Sequence, residues 1–276
     1  MICRAGITGV AVALSLMLAG AQAVAQSTSL RKLDTENEAR AWQSVGRLDN
    51  ARGAYCTGTL IAPDLVLTAA HCVYHREAGT LVAAEDLMFQ AGLTHGAAAA
   101  SRAVAQIEAH SGYDPKRDYD LQNVRHDLAL VRLEEPIPSH ELDPFAVFGG
   151  QLPNGPVSVV SYGRGRSDQL SRQNECQVLG RLDSVVALDC DVTFGSSGAP
   201  VFTHLNGRGQ IAAVISGGGT YAGQEVAFAM ILPALVADLK RQMRANAPRP
   251  KAKVRRLGVG SNKSSTGAKF VTAKGS

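Results

Sequence analysis

The sequence predicts an all-β sandwich or barrel completed by one C-terminal helix, and three observations carry that expectation. From Trp42 onward, short apolar or alternating runs recur between Gly, Pro, Asn and Asp; one late stretch has helical spacing; and hydrophobic residues make up 45% of the chain, enough for a core. Runs of that length between turn residues read as strands, because side chains alternate between faces and turns need residues that tolerate sharp backbone geometry. The expected strands are 57–62, 65–69, 87–92, 128–133, 157–162, 185–188, 199–202, 211–216 and 226–230. In 232–246, Leu235, Val236, Leu239 and Met243 recur three and four residues apart with Asp238, Lys240 and Arg241 opposite, which makes one apolar helical face. Pro233 suits the first turn of that helix and Pro248 marks its end. The Pro- and Gly-rich stretch 134–155 lacks alternation and is the expected crossover between two halves.

The two ends of the chain differ from its middle. Arg4, an apolar run over 7–19, and Ala23-Val24-Ala25 before Gln26 follow the order of a secretory signal, so 1–25 is expected to be removed after Ala25. Residues 26–41 are polar without alternation and read as a leader or propeptide-like segment that stays mobile. Residues 248–276 hold eight Lys or Arg and no acid, a composition expected to be a disordered basic tail. Net charge is +4, but that tail supplies it: residues 26–247 carry 19 basic groups against 24 acidic ones. No nucleic acid is required as a partner on these grounds, and contact with anionic surfaces would belong to the tail. No later stretch is apolar enough to span a bilayer, so a secreted or periplasmic monomer is expected.

Once Cys3 leaves with the signal, Cys56, Cys72, Cys176 and Cys190 remain. Four cysteines allow three connectivities. Pairing sequence neighbours closes loops of 16 and 14 residues, each worth about 3 kcal/mol in the loop-entropy account. None forms a C-x₂-C pair, so two local disulfides are expected, with no metal and no cofactor.

Three segments each set a reactive side chain at the margin of an apolar run. They are Cys56–Ile61 leading to Leu67-Thr68-Ala69-Ala70-His71-Cys72; His126-Asp127-Leu128-Ala129-Leu130-Val131-Arg132-Leu133; and Gly195-Ser196-Ser197-Gly198-Ala199-Pro200. A serine hydroxyl is a poor nucleophile at its free pKa and needs a positioned base. His71 can take that proton near neutrality and return it to a leaving amine. Asp127 would hold the imidazole in the right tautomer and stabilise its cation, leaving Ser197 as nucleophile. The glycines around Ser197 let the backbone turn tightly enough for the N–H groups of Gly195 and Ser197 to converge on an oxyanion.

With LTAAHC at 67–72, DLALVRL at 127–133 and GSSGAPVF at 195–202, the sequence resembles a chymotrypsin-fold (trypsin-like) serine endopeptidase of the secreted bacterial branch, over roughly residues 42–246. The resemblance implies two packed six-stranded antiparallel β-barrels, here 42–148 and 149–247 with the closing helix, and a polypeptide substrate held between them. It also implies a Cys56–Cys72 bridge on the loop that presents His71.

The departures bear on activation and specificity. Much of that family has an acid before the nucleophile, paired with a new N-terminus released by cleavage; here the residue is Ser196, as in the glutamyl-endopeptidase-like branch. Asp191, six residues before Ser197, stands where trypsin-type enzymes place the carboxylate that selects Lys or Arg, although Thr193 replaces the usual cysteine and Cys190 falls at another offset. The substrate-binding wall is expected from Asp191, Thr193, Ser216, Gly217 and Gly218. Val192 and Ile215 sit where the glutamyl branch would need polar donors. The competing reading is a catalytically weak homologue that acts as a binding or adhesion protein.

Overall fold

The structure, a computed structural model, describes residues 27–152, 154–204, 207–232 and 234–247. The expected signal segment, Pro233, Pro248 and the basic tail lie outside the described residues. In chain order the strands are β1 Arg31–Lys32, β2 Val45–Asn50, β3 Tyr55–Ala62, β4 Leu65–Thr68, β5 Tyr74–His75, β6 Thr80–Leu81, β7 Leu87–Ala91, β8 Ala100–Ala109 and β9 Ala129–Leu133 in the first half. The second half contributes β10 Val157–Gly163, β11 Arg166–Cys176, β12 Val178–Leu182, β13 Val185–Leu188, β14 Pro200–Thr203, β15 Gln210–Tyr221 and β16 Gln224–Ile231. The helices are α1 Glu36–Arg40, α2 Leu121–Val124 and α3 Ala234–Ala245.

The first half closes into a six-stranded barrel in the order β2-β3-β4-β9-β8-β7. Its interior holds Leu48, Leu60, Val66, Phe89, Val104 and Val131, all buried, drawn from the inward face of each strand. The second half is an antiparallel sheet in the order β1-β11-β10-β14-β15-β16-β13-β12, with Val157, Val159, Val186, Leu188, Val201 and Ile215 in its core. Leu67 and Leu130 from the first half join Tyr162, Phe202 and Met230 from the second in a third buried cluster, so the halves share one apolar layer. Burying each such side chain contributes about 1.5–3 kcal/mol.

Both expected disulfides are present, Cys56–Cys72 and Cys176–Cys190. Helix α3 buries Val236, Leu239 and Met243, the face its spacing predicts. It packs back on the first barrel, where Gln106 Nε2 donates to the Met243 carbonyl at 3.0 Å and Asn246 Nδ2 to Glu108 at 3.1 Å.

The expectation that 26–41 stays mobile is corrected for the described residues 27–41. Arg31–Lys32 pair with Arg172 and Ser171 as an added edge of the second sheet, and Leu33 and Ala39 are buried. Thr35 and Glu38 form a reciprocal capping box at the start of α1, which satisfies N–H groups that a free helix end leaves bare. The segment therefore has both apolar anchors and local hydrogen bonds to hold it. The sequence also missed β2, β8, β11 and β12, whose Gly, Ala, Gln, Ser and Arg content weakens any apolar alternation.

Candidate active site

Strand pairing brings the first two chemical residues together. The end of β4 is opposite the start of β9, with Thr68 paired to Ala129. His71, on the 3₁₀ turn Ala70–Val73 just beyond β4, and Asp127, just before β9, thus emerge from the same barrel edge. His71 Nδ1 lies 2.8 Å from Asp127 Oδ2, and the His71 backbone N–H donates to Asp127 Oδ1 at 2.8 Å. The hydroxyl of Ser216, on β15, donates to Asp127 Oδ2 at 2.5 Å. The carboxylate is 2% exposed, so these donors replace the water it has lost.

The electrostatics follow from that geometry. Burial alone would raise the Asp127 pKa, but the His71 charge and the hydrogen bonds from His71 and Ser216 outweigh it and hold the carboxyl below its ordinary value. For His71, burial pulls downward and Arg76 adds to that pull. The charge and hydrogen bond of Asp127 prevail, leaving the imidazole pKa above its ordinary value.

Ser197 reaches the same cleft from the second half, on the turn before β14. Thr57 of β3 donates its N–H to the Ser197 carbonyl at 2.8 Å and its hydroxyl to the Gly195 carbonyl at 2.8 Å, so the first barrel grips the turn directly. Gly195 has φ +91°, and a Cβ there would strike the Tyr55 ring, so the turn requires glycine. The Phe194 carbonyl accepts from Arg164 N–H at 2.8 Å and the Ser196 carbonyl from Ala199 N–H at 3.0 Å. In a trans peptide the N–H points opposite to the C=O, so Gly195 and Ser197 N–H are turned away from those partners. Neither N–H has a protein acceptor among the described residues. No hydrogen bond joins His71 Nε2 to Ser197 among the described residues; Nε2 lies 3.8 Å from Cys72 Sγ.

His71, Asp127 and Ser197 line one cleft of about 820 Å³, together with Thr193, Ser216, Gly217 and Gly218, four of the five residues expected to form the substrate-binding wall. Asp191 is the exception. It is exposed and does not belong to the lining; its neighbour Cys190 is tied to Cys176, and its own N–H donates to Gln173 Oε1 at 2.7 Å. Val192 and Ile215 line the cleft instead, with Tyr119 and Phe194 exposed at its rim. Sequence reasoning missed the role of Ser216 as an Asp127 partner, since a serine at the end of an apolar strand gives no sign of what it faces. Cys56, His71 and Cys72 are the one group of potential metal ligands among the described residues, and both cysteines are consumed by their disulfide.

The chain matches the Trypsin family model over residues 34–234. It belongs to the Trypsin family. Curated relatives include Serine protease SP24D of Anopheles gambiae, 32% identical over 150 residues, which are 54% of this chain and 51% of that protein. Coagulation factor XII of Sus scrofa is 40% identical over 84 residues, 29% of this chain and 12% of that one. CLIP domain-containing serine protease HP8 of Bombyx mori is 35% identical over 117 residues, 37% and 30% respectively. The matched region therefore spans about half or less of these Trypsin-family relatives, which are insect and mammalian and so do not confirm the bacterial branch. A solved Glu endopeptidase in complex with MPD aligns with TM-score 0.64 at 19% identity, covering 78% of this chain and 97% of that one, a likeness of fold. Chymotrypsin-like architecture with a closed six-stranded barrel and one C-terminal helix agrees with the sequence prediction.

Proposed function

We propose that this Trypsin-family chain is a secreted serine endopeptidase that cleaves polypeptides through an acyl-enzyme on Ser197. The observation that carries the reading is the buried Asp127 carboxylate, 2.8 Å from His71 Nδ1, facing a cleft that Ser197 shares. Ser197 Oγ attacks the peptide carbonyl as His71 Nε2 takes its proton, and the oxyanion develops toward Gly195 and Ser197 N–H. The C–N bond then breaks, with the His71 proton passing to the leaving amine. A water molecule, deprotonated by the same imidazole, hydrolyses the ester and restores Ser197. Two disulfides and the signal-like N-terminus support an oxidising, extracellular setting.

The expected preference for Lys or Arg rests on Asp191, and its exposed position gives that preference no support. The side of the cleft formed by Val192, Ile215 and Gly217-Gly218 favours an apolar substrate side chain instead, since those groups offer contact area and no fixed charge. Labelling with a fluorophosphonate tests the chemistry. Stoichiometric attachment at Ser197, abolished in His71→Ala and Ser197→Ala, is the expected outcome; folded wild-type protein that takes no label would leave a binding protein in its place.

A further inference from the structure

Arg166, the first residue of β11, is a buried cation behind the nucleophile turn. It is 7% exposed and has no ion pair among the described residues. Its Nη1 donates to the Ser161 carbonyl at 2.7 Å, and its Nη2 to Ser161 Oγ at 3.0 Å and to Ser196 Oγ at 3.2 Å. A berth is cleared for it: a Cβ at Gly163 would lie 2.6 Å from Nη2 and 2.9 Å from Thr193 Cγ2. Burying a guanidinium without a carboxylate is costly, so its hydrogen bonds must hold something of value.

We infer that Arg166 is a positioning residue for the oxyanion turn, a cation built into the chain that sets Gly195 N–H and Ser197 N–H for catalysis. This rests on the endopeptidase reading above. The hairpin 163–166 grips the turn at three points. Arg164 N–H fixes the Phe194 carbonyl at 2.8 Å, the Arg164 guanidinium lies 4.2 Å from the Phe194 ring centre, and Arg166 holds the Ser196 hydroxyl. That hydroxyl in turn accepts from Thr193 N–H at 3.3 Å, while Ser196 N–H donates to the Thr193 carbonyl at 2.9 Å, so one guanidinium reaches both ends of the 193–196 turn. Fixing the Phe194 carbonyl toward the hairpin points Gly195 N–H the other way, which leaves it available as the oxyanion donor that the endopeptidase reading assigns. Arginine suits the task because it stays charged when buried and presents several donors in a rigid plane. Burial pulls the Arg166 pKa below its ordinary value, and the charge of the exposed Asp191 carboxylate offsets part of that pull.

The test compares full-length wild type with Arg166→Met, Arg166→Lys and Ser196→Ala, using peptide amide hydrolysis and amide hydrogen exchange of the segment around 193–198. Arg166→Met is expected to lower kcat about 100-fold with KM within about threefold, and to speed exchange in that segment about tenfold while the barrel strands stay protected. Arg166→Lys, which keeps the charge but loses the planar fork that reaches Ser161 and Ser196 together, should regain only part of either. Ser196→Ala removes only the accepting hydroxyl and gives the same pattern more weakly if Arg166→Met does not fold. Unchanged exchange and kcat in Arg166→Met, or in Ser196→Ala where that is the folded variant, would overturn the inference. An inert wild type would sink the endopeptidase reading alone, because the exchange measurement still decides whether Arg166 holds the turn.

Discussion

Asp127 is 2% exposed, yet the His71 backbone N–H, the His71 ring and the Ser216 hydroxyl all reach its two oxygens. Its carboxyl is held below the ordinary value, so it stabilises the fold above that value and loses the contribution as pH falls through the depressed one. His71 is shifted the other way. Its contribution is complete below the ordinary imidazole value and fades as pH rises through the raised one, where the neutral ring becomes available as a base. Initial rates between pH 5 and 9 should therefore give a kcat/KM that climbs with pH, with a midpoint above about 6.5. Asp127→Asn should cut kcat by about 10⁴-fold in a protein that still folds, read from the same assay beside a thermal melt. That His71, Asp127 and Ser197 share one cleft was legible because each sits in a motif that marks a strand margin. Asp191 lies outside the cleft lining despite its spacing, because a six-residue offset counts positions along the chain and says nothing of which way a side chain faces.

The segment before Trp42 illustrates how a short element depends on tertiary bonds. Its Leu33 side chain is 2% exposed, its backbone N–H donates to the Leu170 carbonyl at 2.9 Å, and Gln169 Nε2 donates to the Leu33 carbonyl at 3.0 Å. Leu33→Ala should cost about 2–5 kcal/mol, and Thr35→Ala, which removes the cap of α1, about 0.5–2 kcal/mol; urea unfolding measures both. β11 was illegible for the same reason. Gln169, Ser171 and Gln173 are buried, but the bonds of Gln169 to Leu33 and of Gln173 to Asp191 N–H come from distant segments. β8 reads as Ala-rich and polar, and a register shift between its Val104 and Gln106 disrupts the two-residue period. The apolar strands β4, β9, β10 and β13 needed no such help, and their spans agree with the prediction to within about two residues. Replacing Cys56 and Cys72 together by Ala should lower stability by about 2–4 kcal/mol in a thermal melt, with the loop that carries His71 loosened first.

The cleft exists because the two halves share an apolar layer and trade hydrogen bonds across it. Thr57 holds the 195–197 turn from the first barrel, and the Tyr162 phenol of the second half donates to the Leu93 carbonyl at 3.0 Å. α3 returns from the end of the second half to β8 and ties the far side. With both halves fixed, His71 from the first and Ser197 from the second line one cleft. The most direct test digests an unstructured protein with the signal-free chain beside its Ser197→Ala variant and maps the cut sites by mass spectrometry. Cleavage is expected from wild type alone, after apolar side chains that suit Val192 and Ile215. Cleavage confined to Lys and Arg would contradict the placement of Asp191 outside the cleft, and cleavage that survives in Ser197→Ala would contradict Ser197 as the nucleophile.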